Sequence, residues 1–148
     1  MSLFSTKRPD PKAAQRLADL EATVAAIDRS QAMIEFQLDG TIITANKNFL
    51  DTVGYSLDEI VGRHHEMFVN PAYGRSAEYK AFWASLASGE FFSDKFQRVG
   101  KGGKDVWIQG NYNPIFDAAG KPCKVIKFAV DITQAELERT RDFLSHLG

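Results

Sequence analysis

Residues Phe91 to Thr133 read FFSDKFQRVGKGGKDVWIQGNYNPIFDAAGKPCKVIKFAVDIT, and this stretch gives the strongest indication of the fold. Three runs rich in aromatic and β-branched residues are separated by KGGK and DAAGK, two Gly-containing breaks of hairpin length. The pattern predicts a three-stranded antiparallel meander. Pro114 cannot donate a ladder hydrogen bond, so we expect a bulge or a strand end at that residue.

Residues can be assigned to the two faces of this meander by counting in twos, because alternate side chains of a strand point to opposite sides. One face of the middle strand carries Val106, Ile108, Gly110 and Tyr112. One face of the last strand carries Val125, Lys127 and Ala129. Neither strand has a fully polar face, so we expect cover on both sides, from residues 46–89 and from an N-terminal helix.

The N-terminal part of the chain predicts that helix. Residues 11–30 are rich in helix formers, and four apolar residues recur at steps of three and four: Leu17, Leu20, Val24 and Ile27. This narrow seam indicates either pairing with a second copy in a coiled coil or packing on the helix's own domain. Residues 1–10 are polar, and we expect them to be poorly ordered.

The section between this helix and the meander predicts two strands and several short helices. A turn at Asp39-Gly40 joins the strands. The predicted elements are strands at 33–39 and 41–46, helices at 46–55 and 56–61, and a longer helix from Ser76 that stops at Gly89. Residues 64–76 are too interrupted for a regular element and should form one helical turn that ends before Asn70-Pro71.

The order of these elements indicates a fold class. Ser56 and Glu59 have the spacing of a capping box, which predicts a helix start at residue 56. A last helix is predicted after Thr133, with Leu137, Leu144 and Leu147 on one side. Two strands, a helical insert and three strands predict an α+β domain with a five-stranded antiparallel sheet and helices on one face. Such an arrangement encloses a pocket.

The composition excludes several function classes. A chain of 148 residues with 44% apolar content is one domain with flanking elements, and its net charge of -1 favours neither nucleic acid nor a membrane surface. The single cysteine, Cys123, excludes an intrachain disulfide and a cysteine-based zinc site. We find no membrane span, signal peptide, catalytic triad, phosphate loop or metal-spaced cluster. The sequence therefore predicts a cytoplasmic protein that is not an enzyme.

Five motifs, in order, carry a family resemblance: DGTI-x-x-AN-x-x-F, GYS-x-x-EI-x-G, GKGG, YNPI-x-D-x-x-G and DIT. Together they resemble a PAS sensory domain, and the subtype is similar to PAS modules of soluble bacterial methyl-accepting chemotaxis proteins such as aerotaxis receptors. The resemblance implies a cap or dimerisation helix (1–30), a PAS domain (31–133) and a linker helix (134–148). The methylated hairpin of a full receptor is absent, so we expect an excised input module.

The resemblance also implies a function and partners. Such a module detects a small ligand, redox state or gas, works as a homodimer, and acts on a downstream coiled-coil domain and the chemotaxis kinase complex. Asp131 and Thr133, at the junction with the last helix, are expected to relay a change in the sheet. The rival hypothesis is a ligand-independent dimerisation module, supported by the N-terminal seam.

Three alternatives stay open for the pocket. FAD is favoured by matches to aerotaxis receptors that include His65 and Trp83, but Val69-Asn70-Pro71-Ala72 replaces the charged partners of a dinucleotide. Haem would need His64 or His65 as axial ligand. The third alternative is an organic ligand, or an interior filled by its own side chains with no cofactor.

The residues expected to line the pocket come from both layers. From the helical side they are Asn46, Phe49, His65, Phe68 and Trp83. From the sheet they are Ile108, Gly110, Tyr112 and Ala129. Gly110 and Ala129 are small inward-facing residues, which should leave room that a core would otherwise fill.

Overall fold

The computed structural model describes residues 10–147, and the chain divides after Ser30 into two compact units. The first unit is helix α1, Pro11–Ser30, which confirms the predicted helix with the same bounds. The prediction of poor order for residues 1–10 falls outside the described residues except for Asp10, which is exposed.

The second unit contains a five-stranded antiparallel sheet in the order β2-β1-β5-β4-β3. The strands are β1 Ala32–Phe36, β2 Ile42–Ala45, β3 Phe92–Val99, β4 Asp105–Phe116 and β5 Pro122–Asp131. The predicted meander and the predicted hairpin at Asp39-Gly40 are both confirmed. Because β1 pairs with β5, the last strand lies at the centre of the sheet.

Short helices connect β2 to β3, and a longer helix follows β5. They are α2 Lys47–Val53, α3 Leu57–Ile60, a 3-10 turn His65–Phe68, α4 Pro71–Gly74, α5 Ala77–Ala87 and α6 Thr133–Ser145. The predicted capping box at the start of α3 is confirmed, since Ser56 N donates to Glu59 Oε1 at 2.9 Å. The structure thus has the predicted α+β architecture.

The predicted helical turn before Asn70-Pro71 is present as the 3-10 turn His65–Phe68, but residues 64–76 also contain α4, which was not predicted. The side-chain oxygen of Asn70 accepts a hydrogen bond from Ala72 N at 2.9 Å and caps α4. Pro71 occupies the first helical position, where the missing N–H has no intrahelical partner to lose. The Asn-Pro pair therefore starts a helix here as well as ending the preceding turn.

Pro114 neither ends β4 nor forms its bulge, which corrects the second local prediction. The strand continues to Phe116, Pro114 pairs with Val125, and the register shift lies beyond it, between Ile115 and Phe116. The β3 ladder reaches only as far as Tyr112. Pro114 therefore has a neighbouring strand on one side alone, where sheets tolerate proline.

The core lies between one face of the sheet and the helical section 46–89. Val106, Ile108 and Tyr112 of β4 are buried in it, as the count in twos predicts. The opposite face is less protected, since Val130 is 48% exposed. The helix-covered face is therefore the place where the fold can enclose a ligand.

The turn at Gly40 positions the two histidines of the helical section. Gly40 has φ +95, and a Cβ there would lie 2.6 Å from His64 Nε2 and 2.9 Å from Trp83 Cε2, so only glycine fits. His64 Nε2 donates to Asp39 O at 2.7 Å, and His65 N donates to Gly40 O at 2.9 Å. These bonds fix His64 against the hairpin and direct His65 into the core.

Candidate ligand-binding site

A cavity of about 10 Å³ lies between the sheet and the helical section. This volume admits a single molecule of the size of water. Apolar side chains form most of its wall, among them Phe36, Phe49, Phe68, Val106 and Ile108. Three buried polar side chains complete the lining: His65, Arg98 and Lys127.

The hydroxyl of Tyr112 connects these polar groups. Tyr112 Oη lies 2.7 Å from Lys127 Nζ, 2.9 Å from Arg98 Nη2 and 2.9 Å from His65 Nε2. On its other side, His65 Nδ1 lies 2.7 Å from Tyr79 Oη. We call Tyr112, His65, Tyr79, Arg98 and Lys127 the Tyr112 cluster.

Donor and acceptor counting fixes how the cluster is protonated. Arg98 can only donate, and a phenol oxygen accepts two hydrogen bonds and donates one. If Tyr112 accepts from Arg98 and Lys127, its own O–H must point at His65 Nε2. His65 then carries its proton on Nδ1 and donates it to Tyr79 Oη. One neutral tautomer of His65 satisfies all of these contacts.

Burial and the neighbouring cations act on the cluster in the same direction. Burial, followed by the positive charges of Arg98 and Lys127, holds the pKa of His65 well below 6.5. Burial and then Arg98 likewise hold the pKa of Lys127 well below 10.5. Burial raises the pKa of both Tyr112 and Tyr79. These shifts disfavour the charged forms of all four groups, the cations of His65 and Lys127 and the phenolates of Tyr112 and Tyr79.

The structure brings most of the predicted lining residues together. Phe49, His65, Phe68, Ile108 and Ala129 line the cavity. Tyr112 stands behind this wall and reaches it through the cluster. Whether these residues bind a ligand stays a prediction.

Three predicted residues lie at the edge of this arrangement. Asn46 caps α2 and ties it to β1, since its Oδ1 accepts from Phe49 N at 3.0 Å and from Met33 N at 2.9 Å. Trp83 packs behind the cavity with its ring centroid 5.3 Å from that of His65. Gly110 leaves space that the stem of Lys127 occupies, because a Cβ there would lie 3.5 Å from Lys127 Cε.

Sequence reasoning missed Arg98, Lys127 and Tyr79 as members of the site. The count in twos already puts Lys127 on the inward face with Val125 and Ala129. In the structure Arg98 also lies on the inward face, because it pairs with the buried Val106. A cation on the buried face of a strand was therefore the available indication that Lys127 belongs to the site.

The junction between β5 and α6 is tied to β4. Trp107 N donates to Thr133 Oγ1 at 2.9 Å, and Ile132 N donates to Trp107 O at 2.8 Å. Thr133 N also donates to Asp131 Oδ1 at 2.9 Å. Both predicted relay residues therefore lie where α6 begins. The first residue of this helix, Thr133, is hydrogen-bonded to Trp107 of β4.

A second contact links α6 to β3. Lys95 Nζ lies 2.8 Å from Glu136 Oε1, one turn into the helix. The hydrogen bond from Lys95 lowers the pKa of Glu136 below 4.5. The first turn of α6 is thus held by two strands of the sheet.

Neither cofactor alternative fits the interior as it is packed. A cavity of about 10 Å³ cannot admit either the three-ring system of a flavin or the porphyrin of a haem. Both ring nitrogens of His65 are occupied by Tyr79 and Tyr112, and those of His64 by Asp39 O and Glu66 N. Neither histidine therefore has a nitrogen available as a haem ligand.

Two kinds of feature are absent from residues 10–147. No group of three or more His, Cys, Asp or Glu in that range is placed to hold a metal ion. None of the helices in the same range has the length and apolar character needed to span a bilayer.

Most of the second unit matches a known family. Residues 42–129 match the model described as the PAS fold, which covers more than half of the chain. The chain therefore belongs to the PAS family. The predicted family is confirmed.

Two relatives and one solved structure describe its neighbours in that family. The biofilm dispersion protein BdlA of Pseudomonas aeruginosa is 42% identical over 115 residues, covering 78% of this chain and 28% of that protein. The aerotaxis receptor of Escherichia coli is 30% identical over 88 residues, covering 60% of this chain and 17% of the receptor. The PAS domain of a protein from Colwellia psychrerythraea gives a TM-score of 0.67 at 23% identity, covering 78% of this chain and 98% of that one. The chain thus spans less than a third of the length of either relative.

Proposed function

We propose that this chain is the signal-sensing input domain of a cytosolic chemotaxis receptor. It detects a small ligand in the cavity and passes the change through α6 to a downstream coiled-coil domain that controls a kinase. Similarity to the aerotaxis receptor and to BdlA supports the receptor context. The relay rests on contacts within this chain.

The observation that carries the proposal is the adjacency of Ile108 and Trp107 on β4. The side chain of Ile108 lines the cavity, while the backbone of Trp107 holds Ile132 and Thr133 at the start of α6. Ile108 also pairs with Asp131, the last residue of β5. A ligand that displaces Ile108 therefore moves the anchor of the helix.

Replacing Thr133 by Val should uncouple the output from the ligand. The change removes the acceptor of Trp107 N–H and costs about 1 kcal/mol of stability. In the receptor that contains this domain, we expect the ligand-induced change in kinase activity to be lost, while the dissociation constant of the ligand changes less than about twofold. Kinase assays with and without ligand measure the first quantity, and calorimetry measures the second.

Thr140→Val is the matched control for this prediction. Thr140 Oγ1 donates only to Glu136 O, within α6, so the same chemical change leaves the junction intact. A Thr133→Val receptor with a normal response would contradict the proposed relay.

A second candidate function, a dimerisation module that needs no ligand, is favoured by α1. Leu17, Leu20 and Val24 are 58%, 52% and 55% exposed along one stripe of this helix. Burying such a stripe against a second copy removes apolar surface from water. The homodimer expected of the sensory function uses the same stripe, so the two functions differ in whether a ligand changes the output.

Replacing both Leu17 and Leu20 by Glu should convert a dimer of this chain to monomers. The charges would face each other across the seam and oppose its burial. Gln15→Glu with Ala22→Glu, two exposed positions of the same helix, is the control. Sedimentation velocity measures the result, and a wild-type chain that sediments as a monomer would remove the seam from both proposals.

A further inference from the structure

The cavity is lined by two buried cations that have no opposite charge beside them. Arg98 is 6% exposed and Lys127 is 2% exposed. Of the ion pairs found within residues 10–147, none includes either residue. The positive charges of Arg98 and Lys127 act on His65, and that of Arg98 acts on Lys127.

The two cations converge on one oxygen without exhausting their donors. Lys127 Nζ and Arg98 Nη2 both reach Tyr112 Oη, and Arg98 Nη1 donates to Gln97 O at 2.9 Å. The buried Nε of Arg98 has no hydrogen-bond partner among the described residues. Lys127 makes no other hydrogen bond in this part of the chain, and its Nζ lies 4.5 Å from the centre of the Tyr112 ring. Donors of both cations are thus left for a further acceptor.

Burying a charge without a partner is unfavourable, and the cost increases when a second charge of the same sign lies nearby. A phenol supplies hydrogen bonds to both cations but no negative charge. An anion in the cavity would supply both, because guanidinium and ammonium groups bind carboxylates and oxoanions through short, charge-assisted hydrogen bonds. The missing component of the site is therefore a negative charge.

We propose that the cavity binds a small monovalent oxyanion, with Arg98 and Lys127 as its ligands. The cavity of about 10 Å³ holds little more than one water molecule, so the ligand must be among the smallest oxyanions, such as formate or nitrate, and the lining side chains must separate to admit it. The proposal rests on the sensory function proposed above and names the class of its ligand. Formate stands for a carboxylate source and nitrate for an inorganic source.

The burial of Lys127 supports this assignment. Desolvation and Arg98 hold the pKa of its amine well below 10.5, so both disfavour the charged ammonium. A bound anion offsets both effects and favours the charged ammonium. Around Lys127 the other titratable or charged groups of the cluster are His65 and Tyr79 from the helical side and Arg98 and Tyr112 from the neighbouring strands. None of them is negative at neutral pH.

Titration of the 148-residue chain with sodium formate, nitrate and acetate tests the proposal. Calorimetry should show saturable binding of one formate or nitrate per chain, and thermal unfolding should shift upward with the same concentration dependence. Acetate, which is larger, should bind at least tenfold more weakly. Sodium chloride at matched ionic strength is the baseline.

Two variants connect binding to the cations. Lys127→Met and Arg98→Met should each weaken formate binding at least tenfold, whereas Arg98→Lys, which keeps the charge, should weaken it less than Arg98→Met. Lys127→Met replaces a buried charge with an apolar side chain of similar length, so it should fold and melt no lower than the wild-type chain without anion. Lys121→Met, in the exposed turn before β5, is the control and should bind as wild type.

Binding of formate alone supports a carboxylate ligand, and binding of both anions supports an oxyanion of either source. The proposal is overturned if no anion acts beyond the chloride baseline, or if Lys127→Met binds formate as the wild type does. The proposed sensory function is contradicted by a different result, which is a normal kinase response in the Thr133→Val receptor. The two outcomes are independent of each other.

Discussion

Replacing Tyr112 by Phe should lower the free energy of unfolding by about 3 kcal/mol or more. The Tyr112 side chain is fully buried, and its hydroxyl is the shared partner of Lys127, Arg98 and His65. Phe keeps the ring and removes the oxygen. Each buried group that loses its hydrogen-bond partner costs about 1–3 kcal/mol, and three such groups are left by this single change. Urea unfolding followed by tryptophan fluorescence measures the loss.

Tyr79→Phe provides a matched comparison. Tyr79 is also buried, but within the Tyr112 cluster its hydroxyl contacts only His65 Nδ1, at 2.7 Å. The same loss of one oxygen should therefore cost only about 1–2 kcal/mol. Equal losses in the two variants would mean that Tyr112 is not the centre of the cluster.

Lowering the pH from 6.5 to 5 should destabilise the chain by about 1.4 kcal/mol for each pH unit, as long as His65 stays neutral in the fold. The folded-state pKa of His65 is depressed well below 6.5. Below pH 6.5 the unfolded chain therefore binds a proton that the folded chain does not, and stability falls as pH falls. Urea midpoints between pH 5 and pH 8 measure this slope.

Other groups titrate in different windows. Hydrogen bonds lower the pKa of the Asp39, Glu59 and Glu136 carboxyls from 3.8 or 4.5, so the stability that they contribute is lost only at more acid pH. The depressed pKa of Lys127 makes stability rise further between its folded value and 10.5. His65→Gln should flatten the slope between pH 6.5 and pH 5, and His146→Gln, at the exposed C-cap of α6, should keep it. A slope unchanged in His65→Gln would contradict the assignment.

The sequence predicted the parts of the fold that local chemistry determines. Gly-containing turns placed the hairpins, the Ser56 capping box placed α3, and the count in twos put Ile108 and Tyr112 on the buried face. The failures were local as well. The pair Asn70-Pro71 was interpreted as a helix stop, although the same residues cap and start α4.

The site was harder to predict because it depends on pairing between distant strands. Tyr112 of β4 pairs directly with Lys127 of β5. Arg98, on β3, donates a hydrogen bond to the hydroxyl of Tyr112. Neither relation can be read from the spacing of residues along the chain. Gly110 was expected to leave a hollow for a ligand, whereas part of that space holds the stem of Lys127.

The central claim is that a change in the cavity reaches α6 through β4. Hydrogen exchange of the amides of residues 136–138, which begin with the bond from Glu136 N to Ile132 O, tests it. The test uses two variants that each remove one methylene from a buried isoleucine. Ile108 lines the cavity beside Trp107, whereas Ile60 lies in α3 and is buried as completely. Both substitutions by Val should cost about 0.5–1.5 kcal/mol.

We predict that Ile108→Val changes exchange of these amides severalfold and that Ile60→Val leaves it at the wild-type rate. Equal rates in the two variants would contradict the relay.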